Sequence, residues 1–274
     1  MRKRNAKGLT EAEFLAQYNP GNYERPSVTV DMMVLRMKPD LSGLQILLIQ
    51  RKDHPYIDCW ALPGGFINID ESAYEAACRE LQEETGLTEV YLEQLYTMSK
   101  PDRDPRMRII DISYIALLPF RYTKQEQAGD DAKDAAWFDI AFTDDKMVFK
   151  NKEREYTLDY RLHKKEFTNG ILKIENFVPQ QVSEDALAFD HAEIILEGFM
   201  RLRNKVMYTD IAFNLVPEEF TLPDLQRVFE IILGRELYKT NFRDKIENKT
   251  EETGGKAKPL TSRRAAKLYR YKQS

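Results

Sequence analysis

The sequence predicts an α/β body, with strands around one acidic helix, followed by a small C-terminal unit of two helices and a closing strand. Three observations predict it. Segments 27–37, 44–49, 109–118 and 137–138 are rich in apolar or β-prone residues. Between the second and third lies a helical segment from about Ser72 to Thr85, with Glu80, Glu83 and Glu84 at i, i+3 and i+4, which places three carboxylates on one helix face. Beyond residue 220 the pattern becomes helix, glycine turn, basic helix, strand.

Taken in chain order, residues 1–25 read as an arm with a short helix at Glu11–Tyr18. Ser27–Met37 alternates in part and reads as a strand. Pro39–Gly43 makes a turn, and Leu44–Ile49 is apolar throughout, as a buried strand is. Trp60-Ala61-Leu62-Pro63-Gly64-Gly65-Phe66 reads as an apolar run ended by a tight turn. In the acidic helix, Ser72 and Glu75 have the spacing of a capping box, with Asp70 an alternative cap, and Gly86 stands where a C-cap glycine belongs. Tyr74, Cys78 and Leu81 form a stripe expected to pack on the sheet, while Ala73, Ala76 and Ala77 allow a close approach.

Ser99–Arg108 is a charged loop in which Arg103, Arg106 and Arg108 could reach phosphates. Ala141–Asp185 is charged and poorly periodic, an insertion with a strand or two. Asp190–Lys205 is a helix that closes the body, with Asp190 as its cap and His191 structural.

The carboxylate cluster carries the chemistry. Like charges crowded on one face repel each other, and a divalent cation turns that repulsion into binding. Oxygen donors suit Mg²⁺ or Mn²⁺ rather than zinc. Arg79 beside them is expected to orient Glu71 or Glu83. No Ser–His–Asp set is evident, and Cys59 and Cys78 lack a histidine partner, so covalent catalysis has no sponsor. The two thiols read as reduced and near the core.

Thr221-Leu222-Pro223-Asp224 opens a helix whose apolar face is Leu225, Val228, Phe229, Ile232 and Leu233, ended by Gly234. A second helix, about Thr240–Lys249, buries Phe242 and Ile246 and turns Lys239, Asn241, Arg243, Lys245 and Lys249 outward. Glu251–Lys258 reads as turn-like and Ala266–Tyr271 as a closing strand. This is the pattern of a winged helix-turn-helix. Its second helix is expected in a DNA major groove, with Asn241 and Arg243 at base edges and the lysines on phosphate. The formal charge is −4 overall, but residues 235–274 carry +7, which leaves −11 on the rest. A basic tail on an acidic body suits a polyanion. There is no apolar run of about 18 residues and no signal-like stretch, so a cytoplasmic protein without membrane contact is expected.

Gly65-(x5)-Glu71-(x7)-Arg79-Glu80-Leu81-Gln82-Glu83-Glu84-Thr85-Gly86-Leu87 resembles the signature of the Nudix hydrolases and fills every defined position. The resemblance implies the family's α/β/α sandwich with a mixed sheet. It implies metal held by Glu80, Glu83, Glu84 and a loop carbonyl at Gly64 or Gly65, with Gly65 taken as the ligand, and Arg79 and Glu71 in the catalytic set. Arg51, Phe66, Arg103 and Arg106 are then candidate substrate contacts. The Arg-Asp-Pro-Arg run resembles ADP-ribose-type members and their regulatory relatives. Phe220-Thr221-Leu222 and Asn241-Phe242-Arg243 extend the likeness to Nudix-related transcriptional regulators with a C-terminal winged helix.

The implied division is residues 1–25, 26–205 and 206–274. The implied function is metal-dependent hydrolysis of a nucleoside diphosphate derivative, ADP-ribose to AMP and ribose 5-phosphate, with double-stranded DNA as partner and a homodimer as the assembly. Many regulators of this kind have an eroded box and sense the nucleotide as effector without hydrolysing it. The box here is intact.

Overall fold

The computed structural model describes residues 3–120, 132–262 and 264–272. Helix α1 (Glu11–Gln17) starts on a Thr10–Glu13 capping box and buries none of its residues. The central sheet then collects β1 (Ser27–Met37), β2 (Leu44–Arg51), β3 (Trp60–Ala61), β4 (Gly64–Phe66), β5 (Tyr91–Met98), β6 (Ile109–Leu118), β7 (Ala132–Phe142), β8 (Lys146–Asn151), β9 (Tyr156–Asn169) and β10 (Leu172–Gln181). Its order is β10-β9-β8-β7-β2-β1-β6-β5, with β3 on β2 and β4 on β1. The β1–β6 pair is parallel, with Val28 opposite Ile110 and Met33 opposite Ile115. The neighbouring β1–β2 and β5–β6 pairs are antiparallel, so the sheet is mixed.

Both faces are covered at the centre of this sheet, which is why β1 is buried along most of its length. Val30, Met32 and Val34 point to the face covered by helix α2 (Ala73–Thr85), where they meet Ala76, Ala77 and Leu81. Met33, Leu35 and Met37 point to the other face, beneath helix α3 (His191–Lys205), with Ile194, Ile195, Phe199 and Leu202. The expected three-layer arrangement is present.

Three expectations differ from the structure here. Tyr74 and Cys78 are exposed rather than packed on the sheet; the alanines and Leu81 take that face because α2 lies too close for larger side chains. Cys59, half-buried against the small core cluster of Ile49, Ala61 and Ala188, lies near the core as expected. Residues 64–66 form a short strand on β1, with Val30 opposite Gly65, instead of a free turn. Residues 141–185 hold three strands, and β9 and β10 form a long antiparallel ribbon running from Leu172–Asn169 to Gln181–Tyr160.

The C-terminal unit consists of β11 (Phe220–Thr221), helix α4 (Leu222–Leu233), helix α5 (Lys239–Ile246), β12 (Thr250–Ala257) and β13 (Ala266–Tyr271), in a sheet ordered β11-β13-β12. Thr221 caps α4 by accepting from the Asp224 N–H, and Gly234 ends it at φ 68°, the left-handed region that glycine enters without a side-chain clash. The turn expected at Glu251–Lys258 is a strand instead. The expected second helix stops at Ile246 and continues as a 3-10 turn to Lys249. Val216, Phe220, Leu225, Val228, Phe229, Ile232, Phe242 and Ile246 belong to the same hydrophobic core as Met33 and Leu35. The two units therefore share one core.

Candidate functional site

Helix α2 begins on the Ser72–Glu75 capping box and ends at Gly86, φ 71°. The buried face of Ala76, Ala77 and Leu81 sets its rotation, and its acidic face turns toward β4. Arg79 is the hub of that face. It grips Glu71 with two donors, at 2.7 and 3.0 Å, and also reaches Glu80 at 2.7 Å, Glu83 at 3.0 Å and the Phe66 carbonyl at 3.0 Å. The expected choice between Glu71 and Glu83 is thus resolved as both, with Glu80 added. Pairing with Arg79 lowers the Glu71 pKa to about 2. Burial raises that of Glu80, against the pull of Arg79. Glu84 is buried and accepts the Gly64 N–H at 2.6 Å.

The glycines are explained by close approach. A Cβ on Gly64 would collide with the Val30 carbonyl, and one on Gly65 with the Glu80 carboxylate. Gly65 thereby keeps room beside Glu80.

Among the described residues, no three His, Cys, Asp or Glu side chains lie close enough together to hold a metal ion. The reason is on the same face: Arg79 holds Glu80 and Glu83, while the β4 backbone holds Glu84. The donor chemistry nevertheless fits Mg²⁺ or Mn²⁺, since the acidic face offers hard carboxylate oxygens and the glycine leaves space beside one of them.

This face forms one wall of a cavity of about 1320 Å³. The remaining walls include Asp31, Arg51, Phe66, Arg103, Asp104, Arg106, Phe189 and His191. Arg51 and Arg106 face the Phe189 ring at 5.0 and 5.8 Å, and Arg106 also lies 5.5 Å from the Phe66 ring. Burial lowers the Arg51 pKa, and the neighbouring Arg106 charge adds to this. Arg106 is anchored on Asp104 at 2.8 and 3.0 Å.

Arg103 is brought to the cavity but is not a free hand. Its side chain is 4% exposed and paired with Asp190 at 2.7 and 3.0 Å and with Asp31 at 3.5 Å. Burial works against its charge, yet these carboxylates and Asp111 outweigh it and raise its pKa. Asp190, expected as the α3 cap, makes no capping bond and serves this pair instead.

His191 is buried, and burial lowers its pKa. Its Nδ1 accepts the Leu62 N–H at 2.8 Å, so a neutral ring carries its proton on Nε2, which faces Asp31 at 3.6 Å. Behind them Asp111 is fully buried, held by Thr29 at 3.1 Å and Ser113 at 2.5 Å. Burial first, then Asp31, pushes its pKa well up. Asp31, Asp104 and Phe189 escaped the sequence reading. An acidic residue interrupting the apolar β1 was a usable signal for Asp31; Phe189 had none.

On the C-terminal unit, Lys239, Asn241 and Arg243 lie exposed along α5. Lys245 and Lys249 do not turn fully outward. Lys245 donates to the Met207 carbonyl at 2.8 Å and lies over the Phe229 ring, and Lys249 pairs with Asp210. In the wing, Lys267 and Arg270 pair across strands with Glu252 and Glu251. Lys256, Lys258 and Arg264 are exposed, and Arg263 lies outside the described residues. Among the described residues, no helix is long and apolar enough to cross a membrane.

A mixed sheet between helix layers, carrying a glycine-flanked acidic helix, defines a Nudix domain, and the NUDIX domain family matches residues 26–157. The NrtR DNA-binding winged helix domain matches residues 212–271. An ADPR responsive transcriptional repressor NtrR of Acinetobacter baylyi is 35% identical over 96% of this chain and 88% of its own length. The ADP-ribose pyrophosphatase of Methanocaldococcus jannaschii is 38% identical over 53% of this chain and 83% of its own.

A crystal structure of a MutT/nudix family protein from Enterococcus faecalis superposes with a TM-score of 0.78 at 32% identity, covering 96% and 94% of the two chains. NrtR of Shewanella oneidensis complexed with a 27mer DNA superposes at 0.63 with 28% identity, covering 89% and 93%. The Nudix domain of that same protein, complexed with ADP ribose, superposes at 0.50 with 27% identity, covering 71% of this chain and 99% of that one. The chain belongs to the Nudix family, among the members that join a Nudix domain to an NrtR-type winged helix.

Proposed function

We propose that this protein is an ADP-ribose-responsive, DNA-binding regulator whose pocket keeps the means to hydrolyse the nucleotide it binds. One observation carries the reading: a single cavity joins an intact carboxylate face to a wall of arginines and aromatic rings. The full-length likeness to an ADPR responsive repressor supports it, as does the ADP-ribose complex of the Shewanella oneidensis Nudix domain.

Arg51 and Arg106 attract the diphosphate, and the aromatic rings offer faces to a base. Glu80, Glu83 and Glu84, with Gly65, would hold Mg²⁺ or Mn²⁺ once the cation replaces Arg79 among the carboxylates. Bound there, the metal would neutralise diphosphate oxygens and lower the pKa of a bound water. Arg79 and Glu71 hold the helix face in register. Lys239, Asn241 and Arg243 on α5 would meet the duplex, with Lys245 a weaker contact because it is partly folded back. Residues 1–25, 26–205 and 206–274 would act as arm, Nudix unit and winged helix. A homodimer would present two α5 helices to paired half-sites.

The test incubates the full chain with ADP-ribose and Mg²⁺, then Mn²⁺, and resolves the products. AMP and ribose 5-phosphate in equal amounts are expected. Binding without products leaves an effector pocket and removes the enzyme. No binding of ADP-ribose removes both. Duplex binding should weaken steeply with salt through counterion release, and its absence at low salt removes the regulator.

A further inference from the structure

Phe189 stands two residues ahead of α3, at φ 52°. That is the left-handed region, which a bulky residue occupies only where its surroundings over-determine it. Its ring lines the cavity, half-buried. Tyr56 supports it edge-on at 4.7 Å and His191 lies at 5.4 Å. The Arg51 and Arg106 guanidiniums face it at 5.0 and 5.8 Å. A guanidinium is flat, delocalised and electron-poor, so the wall already accommodates a planar π-group against this ring. A nucleobase has the same flatness and stacks on aromatic faces whatever its sequence identity. Arg106 is the more exposed partner, held at its Asp104 anchor. Its side chain is 42% exposed and reaches into the same cavity as the carboxylate face.

On the nucleotide reading above, we propose that Phe189 is the base platform of the pocket. The nucleobase lies on its ring, Arg106 leaves that ring to follow the phosphates, and Arg51 stays as the cation behind them. The diphosphate then points from the ring toward Glu80 and Glu83. This makes Phe189 a specificity residue for the nucleoside end of the ligand, with the sugar-phosphate end left to other walls.

Calorimetry on the full chain in EDTA, which prevents turnover, tests this with three probes: ADP-ribose, AMP and ribose 5-phosphate. Phe189→Leu should weaken ADP-ribose and AMP by roughly 10–100-fold, the loss of one stacked base, and leave ribose 5-phosphate within about twofold. Phe189→Tyr keeps a ring and should stay within about threefold of the wild type for all three. Phe189→Asn tolerates the left-handed backbone and provides a ringless variant without that backbone strain; it should behave as Phe189→Leu does. Equal weakening of all three probes, or unchanged ADP-ribose affinity in both ringless variants, would overturn the platform. A wild type that binds neither ADP-ribose nor AMP would overturn the nucleotide reading itself, before any variant is compared.

Discussion

Two walls of one cavity are built in opposite ways. The carboxylate wall comes from residues 64–84, and Glu71, Glu80 and Glu83 are held by Arg79 within that stretch. The recognition wall is assembled from Asp31 on β1, Arg51 at the end of β2, the loop of Arg103 and Arg106, and the segment Phe189–His191. Its parts meet only after the sheet has formed. The difference teaches that the chemistry of this site is a local property of one helix, whereas its choice of ligand is a property of the whole fold. Damage to the first should cost turnover more than stability, and damage to the second should cost stability as well.

The largest effect should come from Glu83→Gln, which removes a charge from the exposed edge of the acidic face. Turnover is expected to fall by roughly 100–1000-fold, the size of effect that losing one preorganised electrostatic group produces, with the melting temperature nearly unchanged. A large fall in melting temperature would break the contrast.

Next is Asp190→Asn on the recognition wall. It leaves the buried Arg103 with Asp31 at 3.5 Å as its remaining carboxylate contact. Losing one partner of a buried pair costs about 3 kcal/mol, here on the order of 10 °C in melting temperature. A shift under a degree or two would show that this wall is not structural.

Smaller still is Ser72→Ala, which removes the α2 cap. About 1 kcal/mol, or roughly 3 °C, is expected, and less turnover should be lost than in Glu83→Gln. The smallest effect concerns acid. The Glu71 pKa is lowered from 4.5 to about 2 in the folded chain. A depressed carboxylate stabilises the fold fully above its unfolded value and loses that contribution as pH falls through the folded one. The Arg79 clasp should therefore hold down to about pH 4.5 and be lost as the pH falls through about 2. Melting of Glu71→Gln against the wild type should differ at pH 6 and converge at the lowest pH.

The same contrast explains what was legible in the sequence. Strands 27–37, 109–118 and 266–271 were read with the bounds observed, and the α2 helix to within a residue, because their signals are local: periodicity, a capping box, a glycine stop. The three carboxylates were legible for the same reason. The β9–β10 ribbon was not, because most of β9 beyond Tyr160 is exposed and carries no apolar alternation. Tyr74 and Cys78 were misplaced because hydrophobicity suggested a buried stripe where close packing required alanine. Arg103 was named for the cavity, but its burial against Asp190 depends on a residue 87 positions away. Phe189 was invisible because a left-handed backbone at a phenylalanine has no sequence signature.

The central claim is that the acidic face of α2 and the arginine–aromatic wall serve one nucleotide. A crystal of the Glu83-intact chain soaked with ADP-ribose and Mn²⁺ tests it most directly, through the anomalous signal of manganese. The account predicts a manganese peak among Glu80, Glu83 and Glu84, in contact with the diphosphate, and Arg106 turned toward phosphate. Manganese elsewhere, with Glu80 and Glu83 still on Arg79 and the nucleotide outside the cavity, would contradict it.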